Sequence, residues 1–229
     1  QFKHPNLIKL NEVITTKKNI YLIMEYIKGE DLYNYVTERE KLSEIESCLF
    51  FKQLISCIEY ISSLGISHRD IKPENILIKK DKIKLIDFGL SSFGSNNELL
   101  LTKCGSPYFA APEILKGKSY NGLYADIWSC GIVLFFMLTG NVPFKANNIK
   151  KLYANIIEGI YNIPSFLSEH SINFLKKILV VNPEERITIP KIKQHYFFHL
   201  ADDINHNVFA VENNEDYVVP VKNSEQDTV

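Results

Sequence analysis

Apolar side chains recur along this chain with more than one period, and the changes of period divide it into segments. Between Ile45 and Leu64, Phe50, Leu54, Ile58 and Ile61 follow one another at spacings of four, four and three, which is one face of an amphipathic helix. Ahead of it, "NEVITTKKNIYLIMEYI" predicts two strands with a Lys17-Lys18-Asn19 turn between them. "GEDLYNYVTERE" begins after Gly29 and predicts a short helix, and "NILIKKDKIKLIDF" predicts a small hairpin turning near Lys80-Asp81. Residues 90–112 have little periodicity and many turn formers, so they predict a long loop, a feature that in compact domains is usually functional or disordered. After Pro112 the pattern is helical over roughly 125–138, 148–158, 169–179 and 188–197, with Pro143, Pro164, Pro183 and Pro190 at joints or helix starts. From Ala201 onward the chain is polar, acidic and Asn-rich, which predicts a mobile tail. The most apolar run, Ile127–Leu138, contains Ser129, Cys130 and Gly131. Its length falls short of the ~20 residues of a spanning helix. It predicts a buried core helix, and no membrane partner is expected.

Composition adds little except at the end of the chain. Of 229 residues, 45% are apolar and 23% charged, ordinary for a soluble globular protein and incompatible with a wholly disordered one. The net charge of −1 gives no argument for a nucleic-acid partner. That charge is uneven: residues 201–229 hold seven acids and one base, Lys222, leaving 25 bases against 20 acids in residues 1–200. Cys48, Cys57, Cys104 and Cys130 are scattered, with no CxxC pair and no zinc-like His spacing, so a reducing, intracellular setting is expected.

The chemistry concentrates in "ISHRDIKPENILI", Ile66 to Ile78, where Arg69, Asp70, Lys72, Glu74 and Asn75 crowd between apolar flanks. His68-Arg69-Asp70 with Asn75 fits H-R-D-x-x-x-x-N; Asp87-Phe88-Gly89 and Ala111-Pro112-Glu113 follow in order. About ten fixed positions in the right order leave little room for chance. Over about residues 2–198 the sequence resembles the catalytic domain of a eukaryotic protein kinase, and Lys72 within "KPEN" favours the serine/threonine class. "LLTKCGSPYFAAPE" resembles the AMP-activated and calcium/calmodulin-dependent kinase group. The resemblance implies an α+β, protein-kinase-like fold. Residues 1–28 would be the last strands of the N-terminal lobe and the hinge, 29–198 a mostly helical C-terminal lobe, and 199–229 an acidic, disordered tail.

The resemblance also implies roles. Asp70 would accept or orient the substrate hydroxyl proton, Lys72 would reach the transferring phosphate, and Asn75 and Asp87 would hold Mg2+ beside ATP. His68 would be a packing residue beneath Phe88. Met24, Glu25 and Ile27 resemble the gatekeeper and hinge that face adenine, with Leu77 on the opposite face of the base; out of context, Met24 and Leu77 read as core packing. Asp31 and Glu74 join the nucleotide- and substrate-binding set, either as an acidic patch for a basic residue near the acceptor or as two solvated carboxylates. Thr102 would be the activation-loop phosphoacceptor of an upstream kinase, its phosphate pairing with Arg69. Ser106 would contact Asp70 and Lys72; Glu113 would pair with Arg186; Asp126 would tie down the loop backbone.

One part of the family pattern is missing from these 229 residues. No G-x-G-x-x-G occurs, no strand lysine like that of V-A-I-K, and no helix glutamate to pair with it. "HPNLIKL" resembles the turn just past that helix, so the resemblance implies a kinase cut at its N-terminus. Two functions follow. One is an ATP-dependent serine/threonine kinase, cytoplasmic or nuclear, whose chain as given is inactive alone. The other is a non-catalytic C-lobe remnant that binds partners.

Overall fold

The computed structural model describes residues 2–93, 100, 105–117 and 119–202. Within them the longest periodic segments become the two central helices. The first, α2 (Glu44–Ser63), starts where the Ser43 side chain accepts the N–H of Glu46, and it buries Phe50, Leu54, Ile58 and Ile61 as their spacing requires. The second, α4 (Gly122–Thr139), is capped by Asn121, whose side chain accepts from Leu123 N and Tyr124 N. It ends at Gly140, φ 66°, where a Cβ would lie 1.9 Å from the Glu40 carbonyl oxygen, so only glycine closes this turn. Fifteen of its 18 residues are buried. The helix has the length and composition of a membrane span, but its apolar surface is already covered by the protein. The apolar run seen in the sequence is the centre of this longer helix.

Around this pair stand α1 (Leu32–Glu38), α3 (Pro112–Leu115), α5 (Ile149–Glu158), α6 (Glu169–Ile178) and α7 (Ile189–Gln194). Helix α6 packs on α4, and Phe174 from it meets Phe51 of α2 edge-on at 5.6 Å and stacks on Phe197 at 5.0 Å. The predicted helix over 188–197 divides: α7 stops before His195, which caps a 3-10 turn at Tyr196–His199. Glu113 of α3 and Arg186 form a bidentate ion pair with N–O distances of 2.8 and 3.0 Å, and the arginine side chain is fully buried.

Among the described residues the strands form three small sheets. β1 (Leu10–Thr15) and β2 (Ile20–Met24) pair antiparallel around the predicted turn. Val13, Ile14, Ile20, Leu22 and Ile23 remain exposed, so this two-stranded sheet has apolar side chains without cover. The predicted hairpin is β5 (Ile76–Lys79) and β6 (Lys82–Leu85), with Ile76, Ile78, Ile83 and Leu85 turned inward. Two features went unread in the sequence because each is only two residues long. β3 (Glu30–Asp31) takes the first two residues of the predicted helix and joins β5, so α1 starts only at Leu32, and β7 (Ser92–Phe93) pairs β4 (Ile66–Ser67) inside the predicted loop. Leu7 bridges Leu85 in parallel, which ties the first residues to the hairpin.

Candidate active site

The loop between β4 and β5 carries the polar cluster, and α4 holds it. Asp126 Oδ2 and Oδ1 accept the backbone N–H groups of His68 at 2.8 Å and Arg69 at 2.9 Å. Arg69 sits at φ 67°, an unfavourable backbone for a side-chain-bearing residue that this carboxylate grip helps to maintain. Burial pushes the Asp126 carboxyl up to about 7 against the pull of those two N–H donors. His68 is buried under Phe88, ring centroids 4.8 Å apart and edge-on. Its Nε2 donates to the Ile86 carbonyl at 3.0 Å, so Nδ1 is the nitrogen that accepts Asp70 N–H at 3.3 Å. Burial holds its pKa below the ordinary value. Both nitrogens are committed, so His68 has none left for proton transfer.

Asp70 is the focus of the cluster. Lys72 Nζ lies 2.7 Å from its Oδ2, and the Ser106 backbone N–H and hydroxyl both donate to Oδ1 at 3.2 Å. Lys72 also donates to Ser106 Oγ at 3.2 Å. Asn75 Nδ2 donates to the Asp70 carbonyl at 2.8 Å and to Oδ2 at 3.1 Å, which leaves the amide oxygen outside this bonding. Burial works to raise the Asp70 pKa, but Lys72 and Ser106 outweigh it and hold the carboxyl below the usual value. Ser106 is brought in by Gly105, at φ 91°, where a Cβ would stand 2.6 Å from the Arg69 carbonyl oxygen. The resemblance implies the Ser106 contact; the need for glycine beside it appears only with the backbone in view.

Next to this cluster opens a cavity of about 720 Å³, a size that suits a small-molecule cofactor. Met24, Glu25, Ile27, Leu77 and Asp87 all line it. Glu25 is fixed by its N–H to the Lys9 carbonyl at 2.9 Å and by Lys84 Nζ to its carboxylate at 2.6 Å. Asp87 is exposed, in the left-handed region at φ 62°, with Oδ1 accepting Gly89 N–H at 3.0 Å. Phe2, Ile8 and Leu22 also stand in the apolar walls, and no motif marks them. Phe2 is recognisable only through its contact with Phe88, ring centroids 4.8 Å apart.

Asp31 and Glu74 lie outside the cavity lining. Asp31 caps α1, accepting Asn34 N–H and Nδ2, each at 2.8 Å. Glu74 is exposed on the 3-10 turn Pro73–Asn75, which packs against α1 and β3. The two carboxylates therefore sit on neighbouring elements. Thr102 lies outside the described residues.

The donor set bears on a metal. Among the described residues no three His, Cys, Asp or Glu side chains gather as a metal centre of their own. Asn75 and Asp87 offer two oxygen donors, which fits Mg2+, an ion usually held by one or two protein oxygens together with phosphates and water. An apolar cavity of this size, lined by Asp87, would suit a nucleotide.

Comparison with known proteins agrees with this geometry. The family model described as "Protein kinase domain" matches residues 1–198. The probable serine/threonine-protein kinase HSL1 of Saccharomyces cerevisiae is 44% identical over 203 residues, 88% of this chain and 13% of that protein. The serine/threonine protein kinase OSK3 of Oryza sativa is 44% identical over 200 residues, 87% of this chain and 39% of that protein. The carbon catabolite-derepressing protein kinase of S. cerevisiae is 44% identical over 197 residues, 86% of this chain and 31% of that protein. The chain thus spans 13% to 39% of the length of these three relatives. Protein kinases use ATP with Mg2+ and act on proteins. The kinase match takes in the Asp70 cluster, the cavity and the helices that hold both, and on it this chain belongs to the protein kinase domain family.

Proposed function

We propose that this chain is the C-terminal lobe of a serine/threonine protein kinase that transfers the γ-phosphate of ATP to serine or threonine in protein substrates. The observation that carries the reading is the Asp70 carboxylate held ionised between Lys72, Ser106 and Asn75, on a loop whose His68 packs against Phe88 in the wall of an apolar cavity. A lowered pKa suits Asp70 to orient an incoming hydroxyl and receive its proton as the bond to phosphorus forms. Lys72 would neutralise charge on the transferring group, and Asn75 and Asp87 would hold Mg2+, which draws charge from the phosphates when bound. Met24, Glu25, Ile27 and Leu77 would frame adenine. The two carboxylates of Asp31 and Glu74 suit substrates with a basic residue near the acceptor. Thr102, phosphorylated by an upstream kinase, would pair with Arg69 and set the loop around Ser106. The setting we propose is the cytoplasm or nucleus.

The 229 residues contain no phosphate-covering glycine loop and no strand lysine. Phosphoryl transfer rests on positioning and charge stabilisation. Loss of one oriented stabilising group commonly costs about 10²–10³ in rate. We therefore propose that this chain alone neither binds ATP at millimolar nucleotide nor phosphorylates peptides. The test joins the part of the yeast carbon catabolite-derepressing kinase that precedes the matched region to this chain. Radiolabel transfer from Mg-ATP to a basic serine peptide by the chimera, and none by the chain alone, supports the reading. An inert, folded chimera, or saturable ATP binding by the chain alone, counts against it. A binding module without catalysis has no need of the Lys72, Ser106 and Asn75 contacts around Asp70.

A further inference from the structure

Three stretches of chain that border the cavity meet at one carboxylate. Glu25 Oε1 accepts the Lys9 backbone N–H at 2.8 Å and the Lys84 ammonium at 2.6 Å. The same ammonium donates to the Leu7 carbonyl at 3.1 Å, and the Glu25 N–H donates to the Lys9 carbonyl at 2.9 Å. Burial works to raise the Glu25 pKa, but the bonds from Lys84 and Lys9 outweigh it and hold the carboxyl below its usual value. Lys84 thus faces an ionised partner, and it belongs to none of the short motifs around Asp70 and Asp87.

The place of Lys84 in the hairpin gives these bonds their consequence. Ile76, Ile78, Ile83 and Leu85 are buried in the core, so Leu77 and Lys84, which are cross-strand partners, share the opposite face of β5 and β6. Leu77 lines the cavity, and Lys84 beside it reaches across to Glu25, which lines the cavity too. On the other side Leu10 and Met24 are partners in the β1–β2 ladder, and both line the cavity. β1 and β2 pack chiefly on each other. Backbone bonds fasten the residues ahead of them to β6: Ile8 N–H donates to the Leu85 carbonyl at 3.0 Å, and Leu85 N–H to the Asn6 carbonyl at 2.8 Å. The Lys84–Glu25 pair then ties the end of β2 to the same strand. No other ion pair among the described residues joins these two sides of the cavity.

We propose, resting on the kinase reading above, that Lys84 is a positioning residue for the nucleotide: by holding Glu25 it fixes residues 24–27 relative to Leu77, and so the shape of the cavity that receives adenine. The side chains of Lys84 and Glu25 are 22% and 27% exposed, and an ion pair this open adds little to global stability. What it supplies is preorganisation, because a cavity wall already in place need not be ordered when the ligand arrives. Its loss is therefore read in ATP affinity and in local mobility, and only weakly in unfolding.

Steady-state kinetics of the yeast chimera with a basic serine peptide, together with amide hydrogen exchange of the 229-residue chain, test this. In the chimera Lys84→Met should raise KM for ATP about fivefold or more with kcat within about twofold, the pattern of a lost binding contribution. Lys84→Arg, which can keep both bonds, should bring KM back to within about twofold of the parent. In the chain without the yeast part, Lys84→Met should speed exchange at the Lys9 and Glu25 amides about tenfold while peptides from α4 exchange as in wild type. The urea midpoint should stay close to that of wild type, which separates positioning from loss of the fold. An unchanged KM for Lys84→Met, an equal rise for Lys84→Arg, unchanged exchange at Lys9 and Glu25, or a large fall in the urea midpoint would each overturn the role given to Lys84 and leave the kinase reading standing. A parent chimera that folds but transfers no phosphate would overturn the kinase reading itself, and the nucleotide role of Lys84 with it.

Discussion

Removing the guanidinium of Arg186 should be among the most damaging single changes outside the Asp70 cluster. Its side chain is fully buried and that of Glu113 is 10% exposed, so neither charge can turn to water. The guanidinium also donates through Nε to the Val180 carbonyl at 3.0 Å and through Nη1 to the Tyr124 carbonyl. Arg186→Met fills most of the same volume and leaves Glu113 buried without a partner. Breaking a buried pair from one side costs about 3–5 kcal/mol. That is a large share of the ~5–15 kcal/mol that holds a domain folded. In urea, with a slope of about 2 kcal/mol per molar, the midpoint should fall by roughly 1.5–2.5 M. Adding Glu113→Leu removes the stranded charge and should recover part of the loss, because the two carbonyls remain but the carboxylate does not. A shift below about 1 kcal/mol for Arg186→Met, or a double variant as unstable as the sum of the singles, would refute the argument that the unpaired carboxylate dominates.

Asp126 should give the fold a pH dependence. Its carboxyl is raised in the fold from 3.8 to about 7, so the folded state binds the proton more tightly; the associated stability is full below 3.8 and is lost as pH climbs through about 7. Wild type should therefore gain on Asp126→Asn when pH is lowered from about 8 to about 6 in urea titrations, and parallel curves would remove the burial argument. Gly105→Ala forces a Cβ to within 2.6 Å of the Arg69 carbonyl oxygen at a φ of 91°. The strain should cost about 1–3 kcal/mol, and in the active chimera turnover should fall more than ATP affinity because Ser106 is drawn off Asp70. Equal stability and turnover for this variant would show that the loop adapts freely.

The sequence made the local periods and the short motifs legible, and the residues it missed show why. Phe50, Leu54, Ile58 and Ile61 name their own helix face, and the structure buries all four. The Asp70 cluster was readable because Asp70, Lys72 and Asn75 lie within six residues; the structure adds their mutual hydrogen bonds. Phe2 and Ile8 line the same cavity from the far end of the chain, and no local pattern connects them to Asp87. β3 and β7 are too short for a period to register, and the pairing that defines each comes from strands distant in sequence. Asp31 reads in the sequence as a binding carboxylate or a solvated one, and the structure adds a helix cap through its bonds to Asn34 that neither reading contained. The apolar exposure of β1 and β2 follows from what they lack as neighbours, which their own alternation does not encode.

The central claim is that Asp70 handles the proton of the acceptor hydroxyl in a kinase site built largely by this chain. It is tested most directly by Asp70→Asn in the active chimera, with initial transfer rates to a serine peptide and Mg-ATP affinity measured side by side. A positioned base of this kind contributes about 10²–10⁴ in rate, so transfer should fall by that factor while ATP affinity stays within about threefold of the parent. Transfer at the parental rate with intact ATP binding would contradict the account.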